Sequence, residues 1–405
     1  MSQPRIHRVL VHGAVQLAGE IVPGGKYAEK AIEQMLGSQP KWGSRDRSFV
    51  VETTMELVRN YRLAAFLSDQ EWNVGKVNHW HLFGAWWLQQ GYELPDWPEF
   101  KGLDKDTVDE KWAEAQQRRA VLYSLPDWLD ELGVNELGTE AWEKELASMH
   151  QAAQVVLRVN TVRISLAKLA ERLAQQDIET TTLPWAPDAL VLTKRKHLLN
   201  LAEFKEGLFE VQDAASQLIA PLLQLKPGQM VIDACAGAGG KTLQIADLMG
   251  NKGYVVALEP EAVKLKNTDT RSRRAGFNII SSVHLSSPAI IGKYANQADR
   301  LLLDVPCSGL GVLKRNADAK WKLTPEHIQK VKELQHSILT NYHKMLRPGG
   351  VMVYATCSIL PSEDGGQVKR FLAEHPNFEL AEQHYFLPSV YGFDGFYAAV
   401  LKRIK

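Results

Sequence analysis

Gln229-Met230-Val231-Ile232-Asp233-Ala234-Cys235-Ala236-Gly237-Ala238-Gly239-Gly240-Lys241-Thr242 reads as a short apolar strand, a glycine-rich turn and the start of a helix that continues from Leu243 to Met249. An apolar run without alternation suits a strand covered on both faces, the kind from which parallel sheets are built. Glycines let a ligand approach the backbone of the turn, and the helix start offers unpaired N–H groups to a carboxylate or phosphate. Two familiar nucleotide loops do not fit. A P-loop requires glycine where Cys235 stands, and the dinucleotide fingerprint requires its third glycine where Thr242 stands.

Working outward, Gly253 to Glu259 is a second strand ending in a carboxylate twenty-two positions after Gly237. A carboxylate there can accept both hydroxyls of a ribose, as NAD and S-adenosylmethionine equally require. A third strand near Ile279 to Leu285 ends at Ser286-Ser287, and a fourth, Leu301 to Asp304, runs into Val305-Pro306-Cys307-Ser308-Gly309. A further run, Val351 to Tyr354, leads into Ala355-Thr356-Cys357-Ser358. Cys307 and Cys357, two of only three cysteines, thus each sit just past a strand's end, fifty residues apart. In open α/β sheets that edge is where ligands and catalytic groups collect.

The chain has 405 residues, 45% apolar and 23% charged, enough for a sizeable core divided among two or three domains. Sparse, odd-numbered cysteines and no leading targeting segment predict free thiols in a reducing cytoplasm. No apolar run is long enough for a membrane span. The zero net charge hides an asymmetry: residues 1–150 carry 16 Lys+Arg against 23 Asp+Glu, and the remainder is correspondingly basic. A polyanion would therefore meet mainly the second part.

The front part, 1–148, reads as an all-helical domain. Residues 1–25 show no clear period. Helices are predicted from Tyr27, from Asp46 to Leu67, and from Val108 to Tyr123, with His79 to Gln89 and its three tryptophans inside the bundle rather than on a base-stacking surface. Residues 149–205 read as a small α+β unit, with strands at Val155–Asn160 and Ala189–Leu192 and a helix opened by Ser165. Its Lys194-Arg195-Lys196 run is a candidate clamp for a nucleic-acid backbone. Residues 206–405 form the α/β domain, entered through an apolar helix, Ala214 to Leu223.

Four separated motifs then occur in one order: Asp233-Ala234-Cys235-Ala236-Gly237-Ala238-Gly239-Gly240-Lys241-Thr242, Asp304-Val305-Pro306-Cys307-Ser308-Gly309-Leu310-Gly311, Asp318-Ala319-Lys320-Trp321 and Tyr354-Ala355-Thr356-Cys357-Ser358. Together they resemble the RNA cytosine-5 methyltransferases of the Nol1/Nop2/Sun type. Leu157-Arg158-Val159-Asn160, Val211-Gln212-Asp213, Arg347-Pro348-Gly349-Gly350 and Asp394-Gly395-Phe396-Tyr397 extend the likeness over roughly 150–405. The helical front, with Ser44-Arg45-Asp46-Arg47, is similar to the NusB-like domain that precedes some bacterial ribosomal RNA members.

The resemblance implies a Rossmann-like class I methyltransferase sheet and S-adenosyl-L-methionine as methyl donor. Cysteine 235, Ala236, Gly237, Ala238, Gly239, Gly240, Lys241, Glu259, Ser286 and Asp304 would hold that donor. Cys357 becomes the nucleophile that adds to cytosine C6, Cys307 the group that resolves the adduct, and Asp304 the partner of the cytosine N3/N4 edge, with Lys320 as polar support for the substrate. Ser286 stands where the family usually carries a carboxylate for the adenine amino group. The implied partner is RNA, ribosomal in preference to transfer RNA, acted on by a monomer with no metal. A non-catalytic RNA-binding relative and a DNA methyltransferase with Cys307 as nucleophile are the alternatives.

Overall fold

A computed structural model describes residues 5–73 and 76–405, which divide into two compact units: Met1–His150 with Arg315–Pro325, and Gln151–Lys314 with Glu326–Lys405.

The first unit is helical. Its opening helix, Arg8–Ile21, occupies the stretch whose sequence shows no period. Two glycines blur the pattern, and both lie under rings: a Cβ on Gly13 would stand 2.9 Å from Trp42, and one on Gly19 3.0 Å from the His79 ring. They are places where aromatic groups pack onto the helix, not breaks in it. The predicted 46–67 helix is two, Ser44–Arg59 and Tyr61–Leu67, parted at Asn60, whose side-chain amide turns back to the Glu56 carbonyl. The 108–123 helix likewise divides, into Lys105–Ala115, capped by Asp104, and Arg119–Leu122. Trp87 is buried with Phe83 and Phe100, as the aromatic cluster predicts, and Trp80 and Trp86 pack half-buried against them.

The second unit holds two sheets. A four-stranded antiparallel sheet has the order β2-β3-β1-β4, with β1 Val156–Val159, β2 Thr180–Leu183, β3 Ala186–Leu192 and β4 Phe209–Val211. The helix Leu166–Ala174 packs its Leu169 and Leu173 against it. Strand β2 is invisible in sequence because Thr180-Thr181-Thr182 has no apolar alternation. Strand β4 carries the sheet past the expected boundary at 205.

The larger sheet runs β10-β11-β9-β8-β5-β6-β7, with β5 Met230–Asp233, β6 Tyr254–Glu259, β7 Ile280–His284, β8 Ala298–Asp304, β9 Leu346–Thr356, β10 Phe378–Phe386 and β11 Phe396–Arg403. Strands β5 to β9 are mutually parallel, while β11 lies antiparallel between β9 and β10. Both faces are covered: Val231, Leu302 and Val353 point into one apolar cluster, Ile232, Leu301, Leu303 and Met352 into another. That double burial is why these strands read as unbroken apolar runs. Between the small sheet and β5 the expected helix is two 3-10 turns, Ser216–Leu218 and Ala220–Leu223, because Pro221 cannot extend a hydrogen-bonded helix. Strand order reverses at β5, flanked by β6 and β8, so the crevice beyond its carboxyl end is the ligand position of such sheets.

Candidate active site

Along that edge stand Asp233 at the end of β5, Glu259 at the end of β6, Asp304 at the end of β8 and Cys357 immediately after β9. The glycine turn lies in front of β5. Gly237 and Gly239 adopt φ of +55° and +84°, values that L side chains disfavour, and a Cβ on Gly237 would enter open space. The helix Gly240–Leu248 then begins with its N-terminus toward this edge.

Glu259 is buried and clamps the turn: one carboxylate oxygen accepts the Gly237 N–H at 2.9 Å, the other the Glu261 N–H at 3.0 Å. Each oxygen keeps a lone pair for a ribose hydroxyl. Asp233 is buried with one oxygen accepting the Thr242 hydroxyl at 2.7 Å and the other without a hydrogen-bond partner among the described residues. Burial pushes its carboxyl up to about 7, against the opposing effect of the Thr242 bond. An orphaned buried acceptor beside an open glycine cradle and a ribose-type carboxylate fits a polar nucleoside donor such as S-adenosylmethionine. Ser286 lies exposed just beyond β7. Cys235 packs its sulfur against the apolar cluster behind the turn, and burial holds its thiol well above the ordinary range.

The turn is also gripped from outside. Arg158 on β1 donates to the Gly240 carbonyl at 2.7 Å, and Arg271 donates to the Ala238 carbonyl at 2.6 Å while pairing with Glu210 on β4 at 3.0 Å. The small sheet thereby fixes the cradle of the large one. Sequence alone supplied the Leu157-Arg158-Val159-Asn160 motif but not this role for it.

On the neighbouring strand ends, Lys241 pairs with Asp304 at 2.7 Å, and its ammonium lies 4.8 Å from the centre of the Phe396 ring. The Cys307 and Cys357 sulfurs are 3.3 Å apart, both thiols free. The hydrogen bond to Cys357 and burial hold the Cys307 thiol well above the ordinary thiol range, and either sulfur can be the donor of the bond between them.

One residue absent from the sequence reading holds the two cysteine loops together. Glu363, completely buried, accepts the Ser308 N–H at 2.8 Å and the Gln335 amide at 2.9 Å on one oxygen, and the Ser358 hydroxyl at 2.9 Å on the other. Its backbone carbonyl accepts from Tyr354 at 2.6 Å. The only trace of it in sequence is a Glu-Asp pair ahead of the helix Gly365–Glu374. Gly311 completes the clasp. Its N–H donates to the Cys357 carbonyl at 2.9 Å and its carbonyl accepts from Gly395 at 2.7 Å, an approach that a Cβ would block.

Lys320 requires a correction. The segment Asp318–Trp321 folds into the helical unit, where the Lys320 ammonium donates to the carbonyls of Arg59 at 2.8 Å and Tyr123 at 3.1 Å. Both carbonyls lie at helix ends, so this buried cation closes helix C-termini, a favourable use of positive charge. Burial lowers its pKa well below the usual lysine value. Its contacts do not supply the polar support for substrate that the motif suggests.

The seven-stranded order with a reversed β11, and a glycine cradle held by a buried carboxylate at the carboxyl edge, define a Rossmann-like methyltransferase. The match of residues 220–402 to the model described as 16S rRNA methyltransferase RsmB/F, and of 125–198 to a ferredoxin-like domain of RsmF/B-like methyltransferases, makes the identification specific. The chain is 31% identical over 386 residues to a Synechocystis protein named "Probable ribosomal RNA small subunit methyltransferase B", covering 87% of this chain and 86% of that one. Against the ribosomal RNA small subunit methyltransferase B of Vibrio cholerae it is 35% identical over 314 residues, 74% and 69% of the two chains. Among solved structures, a methyltransferase homologue from Pyrococcus horikoshii matches 70% of this chain and 97% of its own at 26% identity and a TM-score of 0.63. The crystal structure of PH0851 matches 99% and 100% at 22% identity and a TM-score of 0.81, a likeness of fold. The chain belongs to the RsmB/F family of ribosomal RNA methyltransferases, whose methyl donor is S-adenosylmethionine. Among the described residues no helix is long and apolar enough to cross a membrane.

Proposed function

We propose that this protein methylates C5 of a cytosine in 16S ribosomal RNA, in the cytoplasm, through a covalent bond between Cys357 and cytosine C6. The observation that carries the reading is the 3.3 Å separation of two free thiols at adjacent strand ends, beside the Lys241–Asp304 pair. S-adenosylmethionine supplies an electrophilic methyl group when bound. Glu259 would take its ribose hydroxyls, the amides at the start of the Gly240–Leu248 helix its carboxylate, and Ser286 its adenine amino group.

Cytosine C5 is a weak nucleophile, and addition of a thiolate to C6 makes it an enamine carbon. Cys357 is assigned this attack. Asp304, steadied by Lys241, receives the N3/N4 edge and passes to N3 the proton that Cys357 gives up as its sulfur bonds to C6, a proton that N3 releases again once C5 carries the methyl group. After methylation the C5 proton must leave as the carbon–sulfur bond breaks. Cys307, adjacent to the bond that breaks, is assigned this elimination: its thiol proton passes to the departing Cys357 sulfur, and the Cys307 thiolate so formed takes the C5 proton.

The test uses tritiated methyl donor and 16S rRNA. Cys357→Ala is expected to abolish transfer and Cys307→Ala to accumulate a protein–RNA adduct on a denaturing gel. An adduct formed by Cys357→Ala would reverse the two roles.

A further inference from the structure

The helical unit contains a cleft of about 620 Å³ that the reaction above leaves unused. That volume lies within the range of ligand-binding sites, roughly 300–1,000 Å³. Ile32, Val51 and Met55 give it an apolar floor, and Lys30, Arg315 and Lys322 a cationic rim. At its edge stands Tyr27, 64% exposed. This ring is more exposed than the half-buried Trp80 and Trp86 and the buried Trp87.

Charge separates the candidate occupants. The cleft lining carries three cations, Lys30, Arg315 and Lys322, against two carboxylates, Glu29 and Asp318, whereas residues 1–150 carry 16 Lys+Arg against 23 Asp+Glu. The carboxylate at the base of the cleft, Asp318, is already engaged by the Ala28 N–H at 3.1 Å and by the Lys322 ammonium. Glu29 is the remaining lining acid. The Lys322 and Lys30 ammonium groups lie 4.8 and 6.0 Å from the centre of the Tyr27 ring. An exposed ring over an apolar floor, ringed by cations, suits a flat heterocycle that carries a phosphate. Single-stranded nucleic acid is held in this way, bases stacking on aromatic side chains while cations follow the backbone. The wall Arg315–Pro325 also follows the Cys307 loop directly in the chain.

We propose that this cleft binds an unpaired nucleotide of the RNA substrate, distinct from the target cytosine, with its base on Tyr27 and its phosphate between Lys30 and Arg315. The inference rests on the RNA-methylating reading above. Loss of one stacked base costs ~1–3 kcal/mol, so Tyr27→Ala is expected to raise KM for 16S rRNA on the order of tenfold. It should leave kcat, the KM for methyl donor and the thermal midpoint unchanged, while Tyr27→Phe behaves as the parent. In photocrosslinking with 5-iodouridine-substituted RNA, the peptide containing Tyr27 should be labelled, and Lys30→Glu should reduce that labelling. A wild-type KM in Tyr27→Ala, or no label in that peptide, overturns the cleft assignment. If the parent protein transfers no methyl group to any RNA, the reaction reading fails instead. Binding of a fluorescent single-stranded oligoribonucleotide, compared between parent and Tyr27→Ala, then decides the cleft separately: equal affinity rejects it.

Discussion

Glu363 offers the sharpest test of how the two cysteine loops are held. Replacing it with alanine leaves the buried Ser308 N–H without an acceptor and deprives the Gln335 amide of one of its two, the other being the Pro306 carbonyl at 3.0 Å. A buried donor left unpaired costs about 1–3 kcal/mol, and the cavity adds to that, so Glu363→Ala should lose about 3–5 kcal/mol of stability. Glutamine keeps the shape and one acceptor oxygen for both of those donors. The Ser358 hydroxyl, 3.3 Å from the Ser308 hydroxyl, can turn toward it and accept from the new amide. Glu363→Gln should therefore cost only about 1 kcal/mol. Because the carboxylate fixes Ser308 relative to Ser358, each next to a cysteine, an error on the order of 1 Å in alanine should slow methyl transfer about a hundredfold. Urea unfolding gives the stabilities, and single-turnover transfer from tritiated donor to 16S rRNA, below the unfolding transition, gives the rates. If Glu363→Ala matched the parent in both, Glu363 would not be the clasp; if Gln were as damaging as Ala, one retained acceptor oxygen would not suffice to hold the loops.

Gly311→Ala should be more disruptive than its one carbon suggests, since the new Cβ would lie 2.3 Å from the Gly395 carbonyl oxygen and 2.8 Å from that of Cys357, backbone atoms that cannot swing aside; circular dichroism melts and the transfer rate should both fall. Glu259→Gln removes a charged acceptor from the ribose position, and affinity for S-adenosylhomocysteine measured by calorimetry should fall about 10- to 100-fold. Asp233 sets a pH dependence. Its folded value of about 7 lies above the ordinary 3.8, so the folded state binds the extra proton between them, and its contribution is full below the lower value and lost as pH rises through about 7. Asp233→Asn should flatten that fall in urea-derived stability between pH 4 and 7, whereas an unchanged slope would place its origin elsewhere.

What was readable in the sequence followed from burial and periodicity. Strands β5, β6, β8 and β9 are covered on both faces and stand out as apolar runs, and their ends place Asp233, Glu259, Asp304, Cys307 and Cys357 along one edge. Helix Arg8–Ile21 was hidden because glycines under Trp42 and His79 interrupt its apolar stripe, and β2 because three threonines do not alternate. Glu363 was hidden for a different reason: its importance lies in what converges on it from Ser308, Gln335 and Ser358, and no local pattern records convergence. Lys320 shows the reverse failure. A residue inside the recognisable Asp318-Ala319-Lys320-Trp321 motif was given a role toward substrate, while its structural neighbours are helix-end carbonyls.

The placement of Arg315–Pro325 has a consequence for the order of events during synthesis. Trp321 packs into the helical unit's apolar clusters and donates to the Val58 carbonyl at 2.8 Å, and Ala317 is buried beside Leu10 and Leu17. The helical unit therefore receives its last core residues only after the small sheet and strands β5 to β8 have been translated. Until then the surfaces around Tyr61 and Val58 lack their covering, and Lys320 is not there to close the helix ends at Arg59 and Tyr123. Although it comes first in the chain, this unit finishes folding only once much of the catalytic unit has left the ribosome.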